Sequence, residues 1–417
     1  MKKTTLAIGL FAALAGSAFA QEGAVPTGIP HLDHVFVIMM ENHGYRQIIN
    51  NPNAPYINSY ATSANLAANY FAVAHPSLTN YLEIVGGSNF GVHSDNPPDW
   101  FDGKCATNLA TGIPNTDNPA SPAICPIRGK GTDATTPALD CTNEVTGPPC
   151  EMNLDGNVYY PAVSTTLGIT IADQLATAGK SWKTYQENLP ITGPANVNYS
   201  DGNFTNNTNF ATMNPQLTPP LSTSDIVQLY AAKHNPFVYF HDVQVGINPM
   251  VSFAQMAGFD GAGGLWSDLG SANQPNFSFI VPNQCNDQHG RGNGTVFCGY
   301  DPNDNGTQAG LNPALIRLGD QAVQKIVAAI HASNAWTNGN SAIITVWDEN
   351  DYSVQPIINK VVTIIDTNYG VHGVQSGTFY THFSLLRSIE GGLGIPCLNH
   401  ACDQATNTMT DLFAAAK

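Results

Sequence analysis

Three short apolar runs in this chain stop abruptly at acidic or metal-binding side chains, and that repeated junction constrains the fold more than any other feature. His34–Met40 (HVFVIMM) ends at Glu41-Asn42, Asn276–Val281 (NFSFIV) leads to Asp287 and His289, and Ser341–Trp347 (SAIITVW) ends at Asp348-Glu349. Continuous apolar runs rich in β-branched residues read as strands buried on both faces of a parallel sheet. Open α/β sheets gather their sites at the carboxyl ends of such strands. The three junctions are therefore expected to meet at one sheet edge.

A fourth stretch, His75–Gly87 (HPSLTNYLEIVGG), places Leu78, Tyr81, Leu82 and Val85 at the spacing of one apolar helix face. Ser77 stands at the start of that helix, where unpaired backbone N–H groups and the helix dipole favour an oxyanion. Asn80 follows one turn later as a neutral donor. Ser77 alone would read as a helix cap; beside three acid-bearing strand ends it reads as a nucleophile.

Around these pieces the helical patterns are Leu167–Lys180, Ser222–Ala232, Pro313–Ala332 and Thr381–Glu390. Further strands are expected over Ser181–Asn188, Pro236–Val243 and Val361–Ile365. Residues 1–20 have the two lysines, the apolar run and the small-residue end of a secretory signal cleaved near Ala20, leaving a catalytic domain over 21–417. No later run approaches a membrane span, so stable membrane insertion is not expected. Losing Lys2 and Lys3 takes the formal charge from −16 to −18, which argues against nucleic acid or an anionic membrane as partner. All eight cysteines follow the signal, and an even count in an exported chain favours disulfides. Proximity pairs Cys285 with Cys298 and Cys397 with Cys402. The other four fall in a Gly/Pro/Asn-rich insertion over about 88–160.

The carboxylates of Glu41, Asp348 and Glu349 with the amide oxygen of Asn42 suit Mg, Ca or Mn, or zinc held through carboxylates. A divalent metal ion there would activate Ser77. A Ser-His-Asp hydrolase fits less well, because Ser77 lacks the G-x-S-x-G elbow and there are more acids than a triad uses.

The motifs also resemble a known family. MMENHGY (39–45), HPSLTNYL (75–82), SWKTYQEN (181–188), HNPFVYF (234–240), FSFIVPNQCNDQHG (277–290), VWDEND (346–351) and YTHFSLLRSIE (380–390) occur in the order found in the bacterial phosphoesterase family. That family holds secreted acid phosphatases and non-haemolytic phospholipases C, within the alkaline-phosphatase-like superfamily. The resemblance implies an α/β sandwich with a mostly parallel central sheet, helices on both faces and, here, a disulfide-stapled insertion. It implies Ser77 as nucleophile and Asn80 as phosphoryl donor, with Glu41, Asn42, Asp348 and Glu349 as metal ligands. His75, His289 and His382 would bind phosphate or protonate the leaving oxygen, and Asp287 is expected beside His75 at the substrate phosphate. Thr79 departs from the usual proline, which should affect only loop rigidity; Asn350-Asp351 departs from the usual Gly or His-Gly, which leaves open the identity and number of metals, especially whether Asp287 and His289 hold a second ion.

The expected protein is thus a secreted or periplasmic, metal-dependent phosphoric-ester hydrolase with a small phosphate-ester substrate. An acid phosphatase is favoured over a phospholipase C because the acidic chain has no basic or amphipathic docking segment. A secreted, non-catalytic binding protein is the reading from another class.

Overall fold

The computed structural model describes residues 22–75, 77–90, 169–189, 229–290, 313–350 and 359–413. The expected signal peptide and most of the Cys-rich insertion lie outside them. Strand β1 (His34–Met40) is the axis of the molecule, and from Val35 to Met40 its side chains are at most 1 % exposed. Successive strand residues face opposite sides, so this burial means both faces of the sheet are covered.

Parallel neighbours flank β1: β6 (Phe277–Val281) on one side and β7 (Ser341–Trp347) on the other. β4 (Trp182–Gln186) continues the parallel array beyond β6, and β5 (Met256–Ala257) closes that edge. Beyond β7 lie β8 (Thr363–Thr367), β2 (Asn65–Ala67) and β9 (Gln375–Ser376), with β8 antiparallel to both its neighbours. The eight-stranded sheet is therefore mostly parallel, as expected. A separate parallel pair joins β3 (Tyr70–Phe71) to β10 (Tyr380–Thr381).

The expected helices appear at Ser77–Gly86, Ile171–Thr177, Pro313–His331 and His382–Leu393. Most of the helix expected over Ser222–Ala232 lies outside the described residues, and its described end enters a 3-10 turn at Ala232–His234. The strand expected over Pro236–Val243 is corrected. Pro236–Tyr239 is a 3-10 helix followed by the α-helix His241–Val245. Pro236 sits at the first helical position, where its fixed φ and missing N–H fit a helix start rather than a buried strand. The aromatic side chains of this segment are buried against the sheet, with Phe237 packed on Trp182 and Phe279. Its apolarity thus marks burial and not strand geometry. Cys397 and Cys402 form the expected disulfide; Cys285 is also disulfide-bonded, to a partner outside the described residues. Among the described residues no helix is long and apolar enough to cross a membrane.

One packing detail holds the site loop. Gln288 adopts φ +80°, a region costly for a residue with a Cβ. Its amide donates to Ile316 O (3.0 Å) and accepts from Trp347 Nε1 (2.9 Å), and its side chain lies in the space left by Gly319 of the long helix. A Cβ at Gly319 would overlap that side chain. Gly319→Ala is expected to cost about 1–3 kcal/mol, read as a lowered Tm. Gly377→Ala, where a Cβ meets nothing within 4 Å, should stay within about 0.5 kcal/mol of wild type. Equal Tm values for the two variants would remove Gln288 as the loop's anchor.

Candidate active site

Strand register brings the acids together. Met40 pairs with Trp347 at the ends of β1 and β7, so the next residues, Glu41 and Asp348, emerge side by side. Two backbone bonds extend the ladder past the strands: Asp348 N donates to Met40 O (3.0 Å) and Glu41 N to Asp287 O (2.8 Å). Asn42 turns the chain away at φ +55° and gives its backbone N–H to Asp348 Oδ1 (3.1 Å). Glu41, Asp287 and Asp348 are 0 % exposed and Glu349 is 4 % exposed.

Ser77, the first residue of its helix, meets this cluster directly. Its hydroxyl lies 2.9 Å from Glu349 Oε1 and 3.2 Å from Glu41 Oε2. Residues 36 and 272 positions away in the chain are thereby within bonding reach of one oxygen. Asn80 accepts from the backbone N–H groups of Val73 and Ala74, and donates to Ala74 O and to Glu349 Oε2 (3.3 Å). It locks the approach to the helix while one amide donor faces the acids.

The histidines divide by what their nitrogens touch. His75 Nδ1 is 2.6 Å from Glu349 Oε2 and its Nε2 is 3.0 Å from Asn350 Oδ1, so the ring orients Glu349. His382 begins the helix after β10, and the β3–β10 pairing sets it beside Tyr70. Its Nε2 bonds Asp348 O (2.6 Å) and its Nδ1 bonds the Tyr70 hydroxyl (2.9 Å). Burial holds it down to about 4, so the ring is neutral at physiological pH. Both ring nitrogens of His382 are thus engaged, one behind Asp348 and one on Tyr70. His289 is fixed by Nδ1 to Gly290 O (2.8 Å), with its Nε2 3.3 Å from Lys233 Nζ. Asp287 accepts from His289 N (2.7 Å) and faces the other acids.

Sequence reasoning left His234 unassigned, yet it sits at the centre. Its Nε2 is 3.0 Å from Glu41 Oε1 and its Nδ1 3.5 Å from Asp287 Oδ2. Tyr81, one turn beyond Ser77, stacks on its ring at 5.2 Å between centroids. It ends the 3-10 turn Ala232–His234, just ahead of the 3-10 helix Pro236–Tyr239 found where a strand was expected. Glu187, at the end of β4, was also missed: it binds Asn283 N and the Asn286 amide, holding the loop that carries Asp287.

The electrostatics call for a cation. Burial, then mutual repulsion, pushes Glu41 up through Asp348 and Asp287, and Asp348 up through Glu349. Burial likewise raises Asp287 and lowers His234. Glu41 Oε1, His234 Nε2, Asp287 Oδ2 and Asp348 Oδ2 are buried and make no hydrogen bond. Ligand atoms of Glu41, His234 and His289 lie within 4.8 Å of one another. Such a mixed nitrogen and oxygen set fits a divalent transition ion, zinc included, and buried acids at this density need a metal or protons for balance.

The Phosphoesterase family model matches residues 49–299. A phosphatidylinositol-3-phosphatase of Mycobacterium tuberculosis is 24 % identical over 400 residues, covering 95 % of this chain and 88 % of that one. An acid phosphatase of Aspergillus fumigatus is 23 % identical, covering 87 % of this chain and 55 % of its own length. This chain therefore spans little more than half of that fungal relative. A solved structure in the alkaline phosphatase superfamily from Vibrio parahaemolyticus matches with TM-score 0.45 and 10 % identity, covering 92 % of this chain and 73 % of that one.

Glu187 yields a pH test separate from the acid cluster. Burial raises it from 4.5 to about 7, so between those values the folded chain keeps a proton that the unfolded chain has lost. Its stabilising contribution is full below about 4.5 and is lost as pH rises to about 7, on the order of 3 kcal/mol. Denaturant unfolding at pH 5 and pH 7.5 should show Glu187→Gln with a shallower loss than wild type. Parallel pH slopes would contradict the assignment.

Proposed function

The chain belongs to the Phosphoesterase family, and on that premise we propose that it is a metal-dependent acid phosphatase cleaving phosphomonoesters through a phosphoserine. The observation that carries this reading is the Ser77 hydroxyl at 2.9 Å and 3.2 Å from two carboxylates at the ends of neighbouring strands. Glu41, His234, His289 and Asp348 are the residues that would hold a divalent ion, with Glu349 and Asn42 beside them. When bound, such an ion lowers the serine's pKa and offsets charge on the phosphoryl oxygens.

Ser77 attacks phosphorus, forming the Ser Oγ–P bond as the ester P–O bond breaks. Its proton passes to Glu349 Oε1, and His75 keeps that carboxylate turned toward the hydroxyl. The Ser77–Gly86 helix points its N-terminus at the transferring group, where backbone N–H groups and Asn80 complement the developing charge. Positioning and charge stabilisation carry most of the catalysis in such transfers. Glu349 passes that proton to the departing alkoxide; water then attacks phosphorus, forming a new P–O bond as the Ser Oγ–P bond breaks, and gives a proton through Glu349 back to Ser77 Oγ as phosphate leaves. His382 acts through Asp348, whose carbonyl it fixes. Residues 1–20, read as a signal peptide, would direct the enzyme to the periplasm or outside the cell.

Ser77→Ala should lower kcat/KM for an aryl phosphate on the order of 10,000-fold with circular dichroism unchanged. Wild-type-like turnover would exclude Ser77 as the nucleophile. Chelation followed by dialysis should abolish turnover and a divalent metal should restore it; full activity in metal-free protein would take the ion out of the scheme. Hydrolysis of phosphatidylcholine in preference to the aryl phosphate would instead favour a phospholipase C.

A further inference from the structure

Away from the acid cluster, a cavity of about 610 Å³ opens between three pieces of chain. These are the helix Ile171–Thr177, the loop that follows the helix His241–Val245, and the chain leaving the helix His382–Leu393. The volume lies within the roughly 300–1,000 Å³ of sites that hold small organic molecules. None of the residues that surround Ser77 lines this cavity, and no lysine, arginine or histidine does.

The wall has an apolar part and an acceptor part. Ile169, Ile247, Val251 and Ile395 supply the first. Ile247 is 88 % exposed, the most exposed large apolar side chain among the described residues. Glu22, Asp173 and Asp242 bring three carboxylates to the second. Thr170 bonds Asp173 Oδ2 through its backbone N–H (2.7 Å) and its hydroxyl (3.2 Å), which leaves Oδ1 as an acceptor. Gln174, 4 % exposed, also lines the cavity. Its Nε2 donates to Glu22 Oε1 (3.0 Å) and Pro396 O (2.9 Å), while its Oε1 is buried and makes no hydrogen bond. Burial, to which Asp242 adds, raises Asp173 to about 6, so these acids are near enough to repel.

Acceptors that lack donors call for a ligand that brings N–H groups and positive charge, and the same carboxylates refuse an anion. A metal ion does not answer that need. Among the described residues, the three-ligand group whose atoms lie within 4.8 Å of one another is Glu41, His234 and His289. The acids of the cavity do not converge in this way, so they suit a cation carried on an organic framework. The apolar wall serves the rest of such a ligand, since contact there takes apolar area of both out of water.

We propose that this cavity is a binding site for a small primary ammonium with an apolar body, separate from the site at Ser77. The carboxylates and the Gln174 amide oxygen hold the ammonium, and the apolar body lies on Ile169, Val251 and Ile395 and covers Ile247. Binding here is independent of the phosphatase reading, and the test measures affinity rather than turnover.

Three probes of one skeleton, 4-phenylbutylammonium, 4-phenylbutan-1-ol and 4-phenylbutyrate, are titrated calorimetrically into the protein at pH 7.5, above the value of about 6 to which Asp173 is raised. The ammonium should bind one equivalent at least about tenfold more tightly than the alcohol, and the carboxylate should show no saturable binding. Asp173→Asn and Asp242→Asn should each weaken the ammonium at least about threefold and leave the alcohol unchanged. Ile247→Ser should weaken ammonium and alcohol by the same factor. Asp173 also caps its helix, so if that variant fails to fold, Asp242→Asn at its exposed position decides. Ammonium and alcohol of equal affinity, a carboxylate that binds as well as the ammonium, or no ammonium binding at millimolar concentration overturns the proposal. Ammonium binding that Asp242→Asn and Ile247→Ser both leave untouched places the ligand elsewhere and overturns it too.

Discussion

Four carboxylates held in a dry interior repel one another, and the rest of the site is arranged around that repulsion. Glu41, Asp287, Asp348 and Glu349 are all buried where three parallel strands end. In water such groups would separate; here the strand ladder gives them no freedom to do so, because Glu41 and Asp348 are the next residues after a register fixed by seven paired positions. The energy for that confinement comes from the strands below. Each fully buried Val, Ile or Phe side chain of β1, β6 and β7 contributes about 1.5–3 kcal/mol. A cation bound there would relieve several of these unfavourable pairs at once. Stability of the sheet and reactivity of its edge are therefore one arrangement seen from two ends.

Local backbone strain serves the same end. Asn42 and Gln288 both occupy left-handed φ values directly beside the acids. Asn42 turns its backbone N–H onto Asp348, while Gln288 is held by Trp347 and the long helix so that Asp287 and His289 on either side face inward. Unusual conformations persist only where surrounding contacts over-determine them. The Trp347 indole, the Ile316 carbonyl and the gap at Gly319 are such contacts, and none of them touches the chemistry.

The central strands were legible in the sequence because burial on both faces leaves an uninterrupted apolar run, and the ligand-bearing residues follow without a gap. Glu41, Asp348 and Glu349 came from that logic, and Ser77 from the spacing of the helix it opens. What failed was the reading of PFVYFHDV as a strand. Apolar runs of this length do not distinguish a strand from a tightly packed turn, and only Pro236 hinted at the answer. The same error hid His234 and Lys233: before a parallel strand they would stand at its amino end, on the wrong side of the sheet. The roles given to His75 and His382 depended on which nitrogens are already bonded, and that information lies in tertiary contacts rather than in spacing. Glu187 could have been suspected, since it too follows a strand, but a single acid in a polar stretch carries no signal of its own.

The helix that begins at Ser77 shows how distant parts of the chain bear on one end of an element. Its N-terminus faces the acids, and its C-terminal end is secured by the loop closed by Cys397 and Cys402. Asn399 donates to Gly86 O (2.7 Å) and His400 N donates to Gly87 O (3.0 Å), satisfying carbonyls that a helix end leaves unpaired. Gly87 must be glycine for this contact, since at φ +69° its Cβ would run into Leu398 O. The helix lies against the His382–Leu393 helix, which in turn begins at the residue supporting Asp348. A shift at the disulfide loop would therefore move the serine and one of the buried acids through the same pair of packed helices. The transfer to Ser77 proposed above would depend on distances held within a fraction of an ångström, and a covalently closed far end would serve it.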